Sequence, residues 1–144
     1  MQLYLFTGFE LEPVSATLSS TYSTNQPTPL ELLQFGAANC IDGVINPVNR
    51  SICHTKNDAR PWIAIDYGIS VTVQRVEIFN RQDCCGSRTR NVHVRISNEL
   101  PTSGSQMFSG GTLLGRFAGP GINGQHIIIS GQIQLWNNNW WLMF

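Results

Sequence analysis

The sequence predicts an all-β sandwich, and three observations carry that prediction. Short apolar runs recur at close spacing with glycine-rich turns between them. Charged residues make up 12% of the 144-residue chain, about half the usual share, which leaves little material for amphipathic helices. Residues 13–36 are rich in Ser, Thr, Pro and Asn, which favour turns and extended chain over helix. The length suits one domain with a single core.

Each element can be read in chain order. Leu30–Phe35 is the one stretch suited to a short helix. From Asn39 to Asp58 the dipeptides Asp-Gly, Asn-Pro and Asn-Asp mark an ordered irregular loop. Trp62–Asp66 reads as a strand closed by Tyr67-Gly68. Val71–Phe79 reads as a second strand, in which the apolar parity shifts from Val71 and Val73 to Val76 and Ile78, as a bulge requires. Asn91–Ser97 is the cleanest strand, with Val92, Val94 and Ile96 on one face and His93 and Arg95 on the other. Further strands are expected at Thr112–Phe117 and His126–Ile129. No internal repeat is present. The polar segment Arg81–Arg88 is thereby a loop on a rigid apolar frame, the setting in which binding residues concentrate.

Nine basic residues balance nine acidic ones, so no net field draws in nucleic acid or an anionic membrane. No apolar run approaches the length of a membrane span. Lys56 is the only lysine, and four of the eight arginines (Arg81, Arg88, Arg90, Arg95) fall within fifteen positions. Such enrichment in rigid guanidinium donors suggests recognition of polar groups, although Arg90 and Arg95 equally suit the wet face of a strand. The four cysteines, Cys40, Cys53, Cys84 and Cys85, contain no C-x-x-C pair, and their even number fits an oxidising compartment. The opening residues lack the n- and h-regions of a signal peptide, which reads as a mature module or an incomplete coding sequence.

Alone, His54 reads as an ordinary loop histidine, and Arg81 with Asp83 as a local ion pair worth well under about 1 kcal/mol. Their joint spacing is more informative. Twenty-six residues separate His54 from Arg81-x-Asp83, and four more precede Arg88. A pyranose hydroxyl both donates and accepts, so a sugar site needs fixed in-plane donors and a ring nitrogen, which two arginines and a histidine supply. Asp83 is placed to pair with a guanidinium and orient it. Adjacent Cα atoms lie about 3.8 Å apart, below the usual disulfide range, and a Cys84–Cys85 bond would close too short a loop to restrict the unfolded chain. Such a bond makes more sense as a stiff, polarizable plate on a binding surface. Reduced thiols, or bonds to Cys40 and Cys53, are the alternatives.

The spacing H-x26-R-x-D-x4-R resembles the pattern of the F-type lectins, or fucolectins. Pro61-Trp62 with Ile65-Asp66-Tyr67-Gly68, Asn39-Cys-Ile-Asp42-Gly43 and Asp83-Cys84-Cys85 resemble that family's local motifs, and the similarity runs from about Ala16 to Ile129. The resemblance implies a jelly-roll, discoidin-like β-sandwich of about eight short strands over residues 16–132, with a lead-in segment at 1–15 and an atypical tail at 133–144. It implies a secreted, non-enzymatic module that binds terminal L-fucose on glycans and glycoproteins, as part of an oligomer or of a longer adhesion or innate-immunity protein. His54, Arg81 and Arg88 would bond the axial 4-hydroxyl and its neighbours, and a Cys84–Cys85 disulfide would pack against the sugar ring. A calcium ion would be held by Asn39, Asp42, Val44 and Ser51, mainly through carbonyls and the Asp42 carboxylate, as a hard cation collecting six to eight oxygens requires.

The sequence also departs from the family. Its last residues, Ile133–Phe144, lack the closing cysteine and the glutamate that would complete the calcium site. Cys40 and Cys53 fall outside the pattern and are expected to bond to each other across the calcium loop. The segment Val44–Arg50 is short and lacks the aromatic pair that walls the fucose methyl group. Asn49-Arg-Ser51 is a glycosylation sequon that overlaps the calcium loop. Two other functions compete. A discoidin-type domain binding protein or phospholipid needs apolar loop tips, and a cysteine hydrolase using Cys53 or Cys84 needs a base within reach of the thiol.

Overall fold

The structure, a computed structural model, describes residues 2–6, 12–23, 29–30, 35–45, 52–70, 72–98, 110–134 and 141–143. Among these residues the chain forms eight strands: β1 (Gln2–Phe6), β2 (Ser15–Leu18), β3 (Ile63–Asp66), β4 (Thr72–Phe79), β5 (Val92–Ser97), β6 (Thr112–Phe117), β7 (His126–Gln134) and β8 (Trp141–Met143). Two single turns of 3-10 helix, Ala37–Cys40 and Gly86–Arg88, lie in the connections. No helix among the described residues is long and apolar enough to cross a membrane.

One sheet has the order β1-β4-β7 and the other β6-β5-β8, with the β2-β3 pair packed alongside through β3 and β8. All the strand pairings among the described residues are antiparallel. The alternation of β5 is why the layers meet: Val92, Val94 and Ile96 are buried while His93, Arg95 and Ser97 are half-exposed. They join Val73, Val76 and Ile78 of β4, Ile127 and Ile129 of β7, Leu114 of β6, and Ile63 and Ile65 of β3 in one core. Burying such side chains contributes about 1.5–3 kcal/mol each, which offsets the cost of ordering the strands.

The parity change within β4 is a real irregularity, since its register against β7 shifts between Val73 and Arg75. That shift puts Val76 and Ile78 inward and leaves Arg75, Glu77 and Phe79 on the other face. There the buried Glu77 carboxylate accepts hydrogen bonds from Arg75 Nε (2.6 Å) and His126 Nε2 (2.7 Å), and the His126 ring stacks on Phe79. These side-chain contacts tie β4 to β7 at the end where both strands enter the site.

The sandwich draws on more of the chain than residues 16–132. Gln2–Phe6, in the segment read as a lead-in, pairs with β4 along its whole length. Trp141–Met143, in the tail read as atypical, pairs with Arg95–Ser97 of β5 and so closes the second sheet. The β7 strand, expected to stop at Ile129, continues to Gln134. Most of the helix expected at Leu30–Phe35, and all of the sequon Asn49-Arg-Ser51, lie outside the described residues.

The strands β6 and β7 belong to different sheets yet approach closely, because glycine replaces a side chain on each. A Cβ on Gly115 would meet Ile129 Cγ2 at 2.6 Å, and one on Gly131 would meet Leu114 Cδ1 at 2.6 Å. Gly131→Ala is therefore expected to destabilise the domain by about 1–3 kcal/mol through overpacking. Truncating the exposed Ile128 on the same strand should change stability by no more than about 0.5 kcal/mol. Urea-unfolding midpoints of the two variants check this, and equal midpoints would mean that the two strands yield at no cost.

Candidate functional site

Three connections converge at one end of the sandwich: the segment from Ile52 to Trp62 that leads into β3, the loop from Asn80 to Asn91 between β4 and β5, and the turn from Ala118 to Gln125 between β6 and β7. The first carries His54. Its backbone is fixed on both sides, His54 N–H donating to the Phe35 carbonyl (3.1 Å) and its own carbonyl accepting from Tyr22 N–H (2.7 Å). The preceding residue, Cys53, forms a disulfide with Cys40 at the end of the Ala37–Cys40 turn, with Cα atoms 5.2 Å apart. Further along, the Asp58 carboxylate accepts from the Ser19 and Ser20 hydroxyls at 2.6 and 2.7 Å. Those hydroxyls in turn accept from Trp62 N–H and Lys56 N–H. The hydroxyl donors, Ser19 first, hold the Asp58 carboxyl below its ordinary range. The whole segment is thereby bound to the chain around β2.

The His54 ring is shaped for one role. Nδ1 faces the Thr55 carbonyl at 2.6 Å, and since a carbonyl only accepts, Nδ1 carries the proton and Nε2 of the neutral ring is an acceptor. Burial pushes its pKa below the usual histidine value. The hydrogen bond to Thr55 works in the opposite direction, and the positive charges of Arg88 and then Arg81 lower the pKa further. Both guanidiniums are thus close enough to this ring to act on it through their charge. Tyr22 and Phe35 pack edge-on against the ring, at 4.8 and 6.1 Å between centroids, and against each other. The histidine therefore sits in an aromatic collar.

In the second connection Arg81 and Asp83 form a bidentate pair, Nε to Oδ1 and Nη2 to Oδ2, the latter at 2.7 Å. The bond to Arg81 holds the Asp83 carboxyl at about 2, and Arg81 is correspondingly raised. The guanidinium is thus held in plane by a partner that stays ionised at any physiological pH. Cys84 and Cys85 are bonded to each other, with Cα atoms 3.7 Å apart. Cys85 adopts the left-handed conformation (φ 64°), a region that non-glycine residues seldom occupy. Its carbonyl accepts from Arg88 N–H (3.1 Å), so the turn after the cysteines returns the chain with Arg88 exposed.

Gly86 lets this loop lie on the third connection. A Cβ there would fall 2.3 Å from the Ile122 carbonyl carbon, closer than any side chain tolerates. Its N–H donates to Asn123 Oδ1 (2.8 Å), Gly121 N–H to the Thr89 carbonyl (2.8 Å) and Gly124 N–H to the Arg81 carbonyl (2.8 Å). Buried between the two connections is Asn80, which bonds to both.

Of the expected cation ligands, Asp42 makes a tight local turn, its Oδ1 accepting from Val44 N–H (3.0 Å), and Asn39 Nδ2 donates to the Ile52 carbonyl (3.4 Å). Ser51 lies outside the described residues. Among the described residues no three His, Cys, Asp or Glu side chains gather into a metal-binding group. Asp42 brings the one carboxylate among the expected ligands, the hard oxygen that calcium takes.

Several residues here escape a reading of the sequence. The aromatic rings next to His54 come from Tyr22 and Phe35, not from the loop after Val44. Asn80, Asn123 and the Ser19–Ser20–Asp58 group carry no motif of their own. Asn80 does leave a trace, as a polar residue ending the apolar run of β4 immediately before Arg81.

The F5/F8 type C family model described as NedA-like, galactose-binding domain matches residues 39–112, just over half of the chain. A fucolectin of Anguilla anguilla is 36% identical over 70 residues, 47% of this chain and 44% of that protein. Fucolectin-5 of Anguilla japonica is 41% identical over 54 residues, 38% of this chain and 29% of that protein. The chain thus spans less than half the length of these relatives. A serum F-lectin of Morone saxatilis superposes with a TM-score of 0.68 at 27% identity, over 90% of this chain and 41% of that one. The lectin-binding domain of lectinolysin, solved with Lewis b, shares the fold at 20% identity with a TM-score of 0.59, over 90% of this chain and 80% of that one. With the matched family model and the two-layer fold together, the chain belongs to the NedA-like galactose-binding-domain family, and it is similar to the F-type lectins.

Proposed function

We propose that this domain binds carbohydrate, and specifically terminal L-fucose, through His54, Arg81 and Arg88. One observation supports this reading most: a histidine whose Nδ1 is committed to the Thr55 carbonyl lies within electrostatic reach of two guanidiniums, one of them oriented by Asp83. An axial hydroxyl placed among them would donate to His54 Nε2 while its lone pairs accept from Arg81 and Arg88, satisfying all its bonding capacity. An equatorial hydroxyl would not reach the same three groups, which would separate fucose and galactose-like sugars from glucose-like ones. The Cys84–Cys85 disulfide lies in sequence between the two arginines and would meet the sugar ring as an apolar plate. The rings of Tyr22 and Phe35 would receive the 6-methyl group. On this reading the protein binds without turnover, is secreted, and meets fucosylated glycoproteins as an oligomer or as a module of a longer chain.

Exposed Val44, Ile45 and Ile122 favour one second reading, a discoidin-type domain that inserts apolar loop tips into protein or phospholipid. Cosedimentation with phosphatidylserine liposomes separates the two, because a fucose lectin remains in the supernatant.

Retention on fucosylated beads tests the site. His54→Ala, Arg81→Ala and Arg88→Ala should each lose retention while keeping a native circular dichroism spectrum, since each removes a bond of about 1.5–3 kcal/mol from a weak interaction. Acidification should act through His54. Its folded pKa lies below the usual histidine value, so binding should persist to lower pH than an unperturbed histidine would allow and then fall, as protonation removes the Nε2 acceptor. Asp83 remains ionised throughout this range. A folded triple variant that stays on the beads would locate binding elsewhere.

We also propose that calcium is held by Asn39, Asp42, Val44 and Ser51, where it would stiffen the loop leading to Cys53 and His54. Saturating calcium, at about 100 times its dissociation constant, should stabilise the domain by about 2.7 kcal/mol. Equal melting temperatures in calcium and in chelator would remove the metal.

A further inference from the structure

Asn80 follows β4, is 4% exposed, and spends every polar atom of its side chain. Nδ2 donates to the carbonyls of Gly86 and Ile122, both at 3.0 Å. Oδ1 accepts from Arg81 N–H at 3.0 Å and from the Thr89 hydroxyl at 2.8 Å. Its backbone N–H donates to the Gln125 carbonyl at 2.9 Å. A primary amide has two donor hydrogens and two acceptor lone pairs, and all four are used. Aspartate has the shape without the donors, leucine lacks both, and glutamine is longer by a methylene group.

The partners matter as much as their number. Arg81, Gly86 and Thr89 are the first residue of the binding loop, its midpoint, and the residue after Arg88. Ile122 belongs to the opposite connection. One buried amide thus bonds to the Arg81 backbone and, on either side of Arg88, to the Gly86 carbonyl and the Thr89 hydroxyl, and ties them to the turn before β7.

We propose that Asn80 is the positioning residue of the site, setting the distance and angle between the Arg81 and Arg88 guanidiniums without touching the ligand. The inference rests on the sugar-binding reading. It makes the pairing of the arginines, rather than their presence, depend on a residue outside the H-x26-R-x-D-x4-R pattern.

Asn80→Asp provides the sharpest test, measured as affinity for methyl α-L-fucoside by calorimetry well below the melting temperature. When ionised, the new carboxylate still accepts from Arg81 and Thr89 but sets an oxygen against the Gly86 and Ile122 carbonyls. Affinity at about pH 7.5 should be at least tenfold weaker than wild type. Burial and the two facing carbonyls push the pKa of that carboxyl up, so acidification protonates it and its O–H donates to one of them. The ratio of variant to wild-type affinity should therefore rise towards about pH 5, although both proteins weaken as His54 gains a proton. The ionisable neighbours are Arg81, Asp83, Arg88 and Arg90 on the same loop, Glu77 on β4 and His126 at the start of β7. The facing segment Gly119–Gln125 carries none. Asp83 holds its charge across this range, and every other neighbour is common to both proteins, so the ratio isolates the new carboxyl.

Hydrogen exchange supplies a readout independent of sugar. In Asn80→Ala the amides of Arg81, Gly86 and Gly124 should lose protection while those of β5 retain it. Should that variant not fold, the same amides in Asn80→Asp at about pH 7.5 carry the comparison. If wild type binds no fucoside, the proposed ligand is wrong and exchange alone decides whether Asn80 holds the loop. If wild type binds and a folded Asn80→Asp binds equally well at both pH values, or if exchange at those amides is unchanged, Asn80 has no positioning role.

Discussion

The end of this domain that carries the candidate site is built from irregular backbone, and irregular backbone buried away from water must find partners for its N–H and C=O groups. Between β4 and β5 those partners are supplied by the turn that precedes β7 and by the amide of Asn80. An unpaired buried donor or acceptor costs about 1–3 kcal/mol, so several orphaned groups together would cost a large part of a domain's stability. The loop is therefore held in one conformation by the same bonds that make it affordable. Gly86, which admits the Ile122 backbone, and Cys85, in a left-handed conformation, belong to that solution.

Charge is arranged on top of this frame. Two arginines beside a protonated histidine would form a site for anions. Burial and the arginines themselves keep His54 neutral, and Asp83 balances Arg81. What remains is a mixture of donors and one acceptor with modest net charge, suited to hydroxyl groups that both give and take a hydrogen bond. The aromatic collar and the paired cysteines add apolar surface, which on the proposed reading suits a deoxy sugar better than a phosphate or carboxylate.

Much of this was legible because it depends on local pattern. The period-2 alternation of Val92–Ile96 and the parity change between Val73 and Val76 report directly on side-chain orientation, and the strand and the bulge both stand in the structure. The spacing of His54, Arg81, Asp83 and Arg88 pointed to the two connections that carry the proposed site. Residues whose role comes from distant partners were not legible. Tyr22 is thirty-two positions from His54, and Asn80 meets Ile122 across forty-two, so neither contact leaves a periodic trace. The strands at either end of the chain were missed for a related reason. Gln2–Phe6 and Trp141–Met143 are short, and it is their long-range pairing with β4 and β5, not their composition, that makes them strands.

The most direct test is a crystal structure of the chain with methyl α-L-fucoside. The account predicts the sugar's axial hydroxyl within hydrogen-bond distance of His54 Nε2 and of the Arg81 and Arg88 guanidiniums, with its ring over the Cys84–Cys85 disulfide. A fucoside bound at any other surface, with these three side chains left in solvent, would contradict it.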